Sequence, residues 1–507
     1  MRESYDVVVV GFGLAGAIAA IAAHDAGAKV LVLEKESNPG GISICAGGGA
    51  RIAQDADAAF AYLKATCAGT TPDPVLLALA RGAVELPSYV RALAEPLGAT
   101  TRIVPVKANY PLPGYDTWSH IEVDHVPGFD PEKDYPHIRL EGDVNGKNMF
   151  KVAHEHVRRR GIAVRYGSAV RRLFHRQSGQ TSGEITGVIC DDETIPARRG
   201  VVLACGGFEA ADDMQRQFWP TPPMRPVATH GNTGDGIRMA QEAGAALWHM
   251  WHLHGVYGFH HPDPEFKFGI RVRRMRNWIP GVSLDRATPM SWIVVDRHGK
   301  RFMNEYDPYM QDTNYRPMAF YDPVTQTFPR IPSLLVLDAK GRALGTVCEP
   351  SYNDAATAAG FNSRTLQEFD EQVLVTRQSL RDIAADFRLD ADNFVATIAA
   401  WNAACAAGAD HAFGRPRASM MPIAEPPFSA ARVWPIVSNT QGGLPHDDRQ
   451  RVLNAFGEPL HRLYVAGELG SVFGHLYFSG ANFSECLIGG RIAGADAAQL
   501  EPRRVAA

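Results

Sequence analysis

The chain has 507 residues and a formal net charge of −4, with 51 Lys plus Arg against 55 Asp plus Glu. This balance and a hydrophobic content of 45% are typical of a globular protein, and they argue against a dedicated nucleic-acid binder, which usually carries a basic stripe. Seven cysteines without a CxxC pair indicate reduced thiols, which predicts a cytoplasmic location. The uncharged run Val7–Ala23 is shorter than the roughly 20 residues of a membrane span, so we expect no integral membrane segment.

The N-terminus carries the pattern of a dinucleotide-binding unit. Residues 6–10 form a valine-rich run that predicts a buried parallel strand, and Gly11, Gly13 and Gly16 follow it in a GxGxxG pattern. An Ala-rich helix is predicted over 17–27, and a second buried strand ends at Glu34. Such glycines let backbone approach a pyrophosphate, the helix N-terminus favours the anion, and the acid can bind ribose hydroxyls.

Later glycine-rich segments favour a flavin over a nicotinamide. Residues 40–49 are nearly stripped of large polar side chains, which lets a flat cofactor lie against the backbone. A strand over 201–205 runs into a glycine turn, a second glycine cluster occupies 231–236, and a strand over 463–466 precedes Gly467 and Glu468. A last helix is predicted from about Asn482 to Gln499. There is no second GxGxxG pattern, so we expect an external electron acceptor or donor.

Together these motifs resemble the FAD-dependent fumarate reductase and succinate dehydrogenase flavoprotein superfamily. The resemblance implies an α/β fold: a Rossmann-like FAD-binding domain over 1–265 and 429–507, with an inserted α+β capping domain for substrate over 266–428. Ile42 stands where succinate dehydrogenase attaches FAD to a histidine, so we expect non-covalent FAD.

The resemblance also implies a set of cofactor-binding residues. Glu34 would bind the adenosine ribose, Glu468 the ribitol, and Ser484 would lie at the helix N-terminus that faces flavin N1 and O2. The full set is Gly11, Gly13, Leu14, Ala15, Gly16, Glu34, Lys35, Gly40, Gly41, Ser43, Gly47, Gly48, Gly49, Ala169, Ala204, Cys205, Gly206, Gly234, Asp235, Gly467, Glu468 and Ser484.

The substrate arginines of the fumarate reductases are absent. Tyr309 stands at the position of the proton-delivering arginine, Tyr477 at that of the carboxylate-clamping arginine, and Asn439 at that of a catalytic histidine. A tyrosine cannot reproduce the bidentate fork between arginine and a carboxylate. These replacements disfavour fumarate and succinate as substrates and favour an uncharged one.

The replacements match the pattern of 3-ketosteroid Δ1-dehydrogenases and related cyclic-ketone dehydrogenases. By that resemblance Tyr309 abstracts the proton next to a ketone, and Tyr477 with the backbone N–H of Ala481 polarises the ketone oxygen. The steroid enzymes have glycine where this chain has Ala481. A hydride then passes to flavin N5.

A further tyrosine would support the base in these enzymes, and Tyr110 and Tyr115 remain alternatives for it. His254, Asn439 and Phe478 are the other candidates for the substrate pocket. The function predicted is therefore desaturation next to the ketone of a cyclic substrate, such as a 3-oxosteroid or a cyclohexanone-like ring.

Other interpretations stay open at this point. The enzyme could run in reverse as an ene-reductase of an unsaturated ketone or acid, or FAD could be structural in a binding protein. Tyr309 could equally be a packed aromatic beside Pro308, and Tyr477 a structural residue. Five histidines between His249 and His261 could suggest a metal, but no cysteine or acid has ligand spacing, so we predict no metal site.

Overall fold

The structure is a computed structural model that describes residues 4–140, 145–178, 181–273, 275, 289–306, 310–349, 351–352 and 366–503. The candidate base Tyr309 lies outside the described residues.

The first sheet is built around the predicted valine strand. Its main path runs β20-β21-β10-β1-β2-β7; β10, β1, β2, β7 and β21 are joined in parallel, while β20 is antiparallel to β21. Antiparallel strands β9 and β8 extend it from β10. The strands are β1 Tyr5–Val10, β2 Val30–Leu33, β7 Ala163–Arg165, β8 Val170–Ser178, β9 Thr181–Cys190, β10 Glu193–Leu203, β20 Arg451–Leu453 and β21 Pro459–Val465. Every residue of β1 is buried, as expected of a strand covered on both faces.

A second mixed sheet has the order β14-β15-β19-β12-β13-β16, with β11 and β18 also pairing with β19. Its strands are β11 Arg225–Pro226, β12 Leu253–His260, β13 Gly269–Val272, β14 Ile293–Val295, β15 Ser333–Leu337, β16 Cys348–Glu349, β18 Val375–Arg377 and β19 Phe428–Thr440. Strands β12 and β19 stand at the two junctions between the predicted domains, and they pair with each other in antiparallel fashion. With the predicted boundaries, the chain would leave and re-enter the FAD-binding domain through adjacent strands. The predicted domain boundaries stay a prediction.

The remaining strands form two small sheets. One has the order β3-β5-β4, from Ala50–Ala53, Trp118–His125 and Thr100–Val104, and the other pairs β6 (Arg139–Leu140) with β17 (Ser351–Tyr352).

The described helices are numbered α1 to α13 along the chain. They are α1 Leu14–Asp25, α2 Ala56–Cys67, α3 Asp73–Ala94, α4 Pro131–Asp134, α5 Gly146–Arg159, α6 Asp212–Phe218, α7 Asp235–Glu242, α8 Met310–Thr313, α9 Ala339–Ala343, α10 Leu366–Val373, α11 Leu380–Phe387, α12 Ala391–Ala407 and α13 Ala481–Gln499. No helix among the described parts of the chain is long and apolar enough to cross a membrane.

Helices α1 and α13 pack together at unusually close range. Helix α1 is buried on nearly all sides and is made largely of alanine. A Cβ added at Gly494 would lie 2.1 Å from the carbonyl oxygen of Ala19, so only glycine fits there. Helix α1 begins three residues before its predicted start because Gly13, inside the glycine motif, already serves as its N-cap. The close packing holds α1 directly against α13.

Candidate functional site

A cleft of about 420 Å³ opens at the carboxyl ends of the parallel strands. Val10, Leu33 and Ala204, at or just beyond the ends of β1, β2 and β10, all line it. Open parallel sheets bind their ligands at this edge, because the loops that follow the strands leave a crevice there.

The glycine motif forms one wall of the cleft. Gly11 has a φ of +101°, and a Cβ there would lie 2.5 Å from the carbonyl oxygen of Ala204, so the turn requires glycine. No side chain caps helix α1 at Gly13, and the amide of Leu14 donates to the hydroxyl of Ser43 at 3.1 Å. An uncapped helix N-terminus on a cleft is suited to phosphate groups.

Glu34 directly follows β2, as predicted for the acid at the end of the second strand. Its two carboxylate oxygens accept the amides of Phe12 at 2.7 Å and Glu36 at 2.9 Å. Burial raises the pKa of Glu34, and the two amide hydrogen bonds oppose that rise. Lys35 beside it pairs with Asp235 at 2.7 Å. These contacts hold the acid rigidly at the cleft, as a ribose-binding group requires.

The cleft brings together many of the predicted cofactor-binding residues. Those that line it are Gly11, Gly13, Leu14, Ala15, Glu34, Lys35, Gly41, Ser43, Ala204, Cys205, Gly206, Asp235 and Glu468. Strand-end backbone, an uncapped helix and a buried acid fit a dinucleotide, and these are the residues that would hold it.

Other predicted cofactor-binding residues lie outside this lining, namely Gly16, Gly40, Gly47, Gly48, Gly49, Ala169, Gly234, Gly467 and Ser484. Gly16 serves the turn itself, since a Cβ there would lie 2.0 Å from the carbonyl oxygen of Gly11. The hydroxyl of Ser484 donates to the carbonyl of Arg51 at 2.8 Å, which ties α13 to β3.

Two buried carboxyl groups meet at the inner end of the cleft. The side-chain amide of Asn232 donates to Glu209 at 2.7 Å and to Glu468 at 3.2 Å. Burial and the neighbouring acid raise the pKa of Glu209 well above its usual range, and burial raises that of Glu468 to about 7. Thr440 donates its amide to Glu468 at 2.7 Å. Burial and mutual repulsion therefore oppose ionisation of both carboxyl groups at once.

Tyr477 lies buried next to the first residues of α13. Its hydroxyl oxygen accepts the amide of Gly480 at 3.2 Å, and its ring centre is 4.5 Å from that of His254. The amide of Ala481, predicted to face the ketone, donates to the carbonyl of Phe478 at 3.2 Å. In this structure the amide that reaches the tyrosine hydroxyl is thus that of Gly480.

Tyr110 is joined to Tyr477 through a buried acid. The hydroxyl of Tyr110 donates to Oδ2 of Asp312 at 2.7 Å, and the amide of Tyr477 donates to the same oxygen at 3.2 Å. Burial opposes ionisation of Asp312, but the hydrogen bond and charge of His252 and the charge of Arg316 leave its pKa below the usual value. Asp312 therefore binds both the side chain of Tyr110 and the backbone of the turn that carries Tyr477.

The alternative tyrosine, Tyr115, has a different environment. It lies half-buried at the start of a short 3₁₀ turn, with the ammonium group of Lys107 5.2 Å from its ring centre. The structure thus distinguishes Tyr110, which contacts Asp312, from Tyr115.

The other candidate pocket residues fall into two groups. His254 and Asn439 are hydrogen-bonded at 3.0 Å between Nδ1 and Oδ1, and burial lowers the pKa of His254 to about 4. Phe478 packs edge-on against Tyr62 and Trp118, with centroid distances of 5.0 Å to each. His254 and Asn439 lie with Tyr477, whereas Phe478 belongs to an aromatic cluster beneath it.

Asp312, His252 and Glu209 were not identified as site residues from the sequence. Glu209 directly follows the Gly206-Gly207-Phe208 turn, a signal that was available, and His252 appeared only as one of the clustered histidines. Nothing local marks Asp312. Within the described residues no group of three or more His, Cys, Asp or Glu could hold a metal ion.

Comparisons with known proteins agree with this geometry. The family model that matches the chain, over residues 6–484, is described as an FAD binding domain. The 3-oxosteroid 1-dehydrogenase of Mycobacterium tuberculosis (strain ATCC 25618 / H37Rv) is 25% identical, with 94% of each chain covered. The 4-oxocyclohexanecarboxylate 2-dehydrogenase of Sinomonas cyclohexanicum is 28% identical over 92% of this chain and 88% of that protein.

A solved structure extends the likeness to the whole fold. It is the 3-ketosteroid delta1-dehydrogenase from Sterolibacterium denitrificans in complex with 1,4-androstadiene-3,17-dione, which matches with a TM-score of 0.78 at 24% identity and covers 98% of this chain and 99% of its own.

The fold and the cleft define a flavoprotein oxidoreductase of the class that acts on CH–CH groups. The chain belongs to the FAD-binding family whose model spans nearly all of it, and FAD is its cofactor. The α/β fold with a Rossmann-like FAD-binding part, expected from the sequence, is confirmed.

Proposed function

We propose that this enzyme desaturates the carbon–carbon bond next to the ketone of a cyclic, uncharged substrate. The observation that carries the proposal is that the hydroxyl of Tyr110 and the backbone amide of Tyr477 converge on the buried Asp312. Tyr477 stands at the position where the fumarate reductase branch has its carboxylate-clamping arginine. The named activities of the two relatives above, on a 3-oxosteroid and on 4-oxocyclohexanecarboxylate, support dehydrogenation of a cyclic ketone. The second of these substrates carries a carboxylate, so the uncharged character of the substrate rests on the absent arginines alone.

In this proposal Tyr477 recognises the ketone. Its hydroxyl oxygen accepts the Gly480 amide at 3.2 Å, and its own proton would be donated to the ketone oxygen of a bound substrate. A hydrogen-bond donor aimed at that oxygen stabilises the enolate formed when the neighbouring carbon loses a proton. Burial of Tyr477 keeps water from competing for the ketone.

Tyr309 would accept that proton as its own phenol proton passes to Tyr110, whose proton in turn passes to the Asp312 carboxylate to which it is hydrogen-bonded. A phenol has a pKa of about 10, so a base of this kind needs a partner that shifts its proton affinity. Of the two alternatives, Tyr110 is the one held by a buried carboxylate. When bound, FAD supplies the two-electron acceptor for the oxidation.

Anaerobic mixing of the FAD-loaded enzyme with a panel of cyclic ketones tests the proposal. The panel should contain 3-oxosteroids and substituted cyclohexanones, with the corresponding saturated alcohols as controls. We expect ketones to bleach the oxidised flavin absorbance and alcohols to leave it unchanged. If no ketone bleaches the flavin, the proposed function is wrong; if the reduced enzyme reacts faster with enones, the physiological direction is reduction.

A further inference from the structure

Asp312 joins three distant parts of the chain at one fully buried point. Its Oδ2 accepts the hydroxyl of Tyr110 at 2.7 Å and the amide of Tyr477 at 3.2 Å, and it lies 3.6 Å from the guanidinium of Arg316. Its Oδ1 lies 3.3 Å from Nε2 of His252. The side chains of Asp312 and His252 are both 0% exposed. One carboxylate therefore links the cap helix α8 to the FAD-side loop and to the turn before α13.

The neighbours of His252 fix where the protons lie. Nδ1 of His252 faces the carbonyl oxygen of Phe473, which can only accept, so Nδ1 carries a proton. Nε2 faces a carboxylate oxygen of Asp312, which is another acceptor. A hydrogen bond between Nε2 and Oδ1 therefore needs a proton on one of these two atoms. The hydroxyl of Tyr110 donates its only proton to Oδ2 of Asp312. Toward any other partner the phenol oxygen therefore acts as a hydrogen-bond acceptor.

Apart from the ion pair with Arg316, these contacts do not require a charge. An asparagine at 312 would accept from Tyr110 and Tyr477 through its oxygen and would donate through its amide to a neutral His252. That arrangement would avoid the desolvation cost of burying a carboxylate with its counter-ion. A carboxylate at position 312, where a neutral amide would make nearly the same structural contacts, points to a role beyond stabilising the fold.

We propose that Asp312 is a positioning residue that acts through Tyr110: with His252 as its buried partner, its carboxylate orients and polarises the Tyr110 phenol as a hydrogen-bond acceptor toward the substrate site. A phenol that donates to a carboxylate gains electron density on its oxygen and accepts more strongly. This inference rests on the proposed function, in which Tyr110 supports the proton-accepting tyrosine.

The first test compares Asp312→Asn with wild type as holoenzymes. We expect a loss of kcat of about 10- to 100-fold with KM, FAD content and thermal stability little changed, because only orientation and charge are altered. The double variant with Tyr110→Phe should be no slower than the slower single variant, because both changes remove one interaction. Asp370→Asn, at another fully buried cap aspartate that binds Arg342, is the matched control and should keep kcat. If Asp312→Asn keeps the wild-type kcat, Asp312 is only a structural anchor and the proposal is wrong.

The second test needs no turnover. Proton NMR of the holoenzyme should show a downfield imidazole N–H resonance that disappears in His252→Gln and shifts in Asp312→Asn. Its absence from the wild type overturns the proposal. If the resonance is present but no cyclic ketone reduces the flavin, the proposed function fails while the pairing of Asp312 with His252 stands.

Discussion

The hydroxyl oxygen of Tyr477 accepts the backbone amide of Gly480 at 3.2 Å. This hydrogen bond holds the tyrosine hydroxyl at the turn that starts α13. Gly480 has a φ of +85°, and a Cβ there would lie 2.4 Å from the carbonyl oxygen of Gly49, so the turn can hold this shape only with glycine. A rigid turn thus determines the orientation of a candidate catalytic hydroxyl.

Replacement of Tyr477 by phenylalanine should lower kcat/KM for a cyclic ketone by about 100- to 1000-fold, because one donor to the developing oxyanion is lost. Stopped-flow reduction of the flavin measures this directly. Tyr464→Phe is the matched control, since Tyr464 is also buried but donates to Asp496, near the C-terminal end of α13. Equal rates in Tyr477→Phe and wild type would contradict the assignment.

Tyr110→Phe should slow flavin reduction by at least about 10-fold, whereas Tyr115→Phe should leave it near the wild-type rate. The reason is that the Tyr110 hydroxyl is bonded to buried Asp312, whereas the ring of Tyr115 lies by Lys107. Rapid-mixing kinetics of both variants with the same ketone decide between them. The opposite order of effects would identify Tyr115 as the supporting tyrosine.

Glu34→Ala should weaken FAD binding by about 10- to 100-fold, because it leaves the amides of Phe12 and Glu36 without their acceptor and removes the ribose-binding acid. Fluorescence titration of the apoprotein with FAD gives the dissociation constant. The exposed Glu193→Gln should bind FAD like wild type. An unchanged affinity in Glu34→Ala would place the adenosine ribose elsewhere.

Glu485 should make the protein less stable as the pH rises. Burial raises the pKa of Glu485 to about 7, against hydrogen bonds from Val472, Asn482 and Ser471 that lower it. A carboxyl with a raised pKa stabilises the fold fully below its ordinary value, near 4.5, and this contribution is lost as the pH rises through about 7.

Thermal unfolding between about pH 5 and about pH 8 tests this linkage. The fall in Tm with rising pH should be smaller in Glu485→Gln than in wild type, since glutamine stays neutral throughout. The exposed Glu132→Gln should show the wild-type slope. An identical slope in Glu485→Gln would mean that this carboxyl does not titrate in the folded protein in that range.

Gly494→Ala should destabilise the protein by about 1–3 kcal/mol, because the new methyl would lie 2.1 Å from the carbonyl oxygen of Ala19. Chemical denaturation measures the change, and Gln499→Ala at the exposed end of the same helix serves as the control. A neutral Gly494→Ala would show that α1 and α13 can separate without cost.

Much of the cofactor side of this protein is determined by short stretches of sequence. The valine run, the GxGxxG turn and Glu34 follow each other within one strand–helix–strand unit, so hydrophobic periodicity and glycine conformation predict their arrangement. The other predicted cofactor-binding residues came from the family resemblance. Most of the predicted residues close to the glycine motif line the cleft.

The arrangement of the residues proposed for the substrate site depends on the tertiary structure. Tyr110, His252, Asp312 and Tyr477 come from four separate segments, and no local pattern shows that one carboxylate joins them. The sequence left Tyr110 and Tyr115 as equal alternatives. Both lie in one predicted loop, and a loop has no helical or strand periodicity that would show which side chain faces the site. Only the packing of the segment around α8 against the loop that carries Tyr110 places Asp312 beside that tyrosine, since burial and hydrogen bonding between distant segments depend on the whole fold.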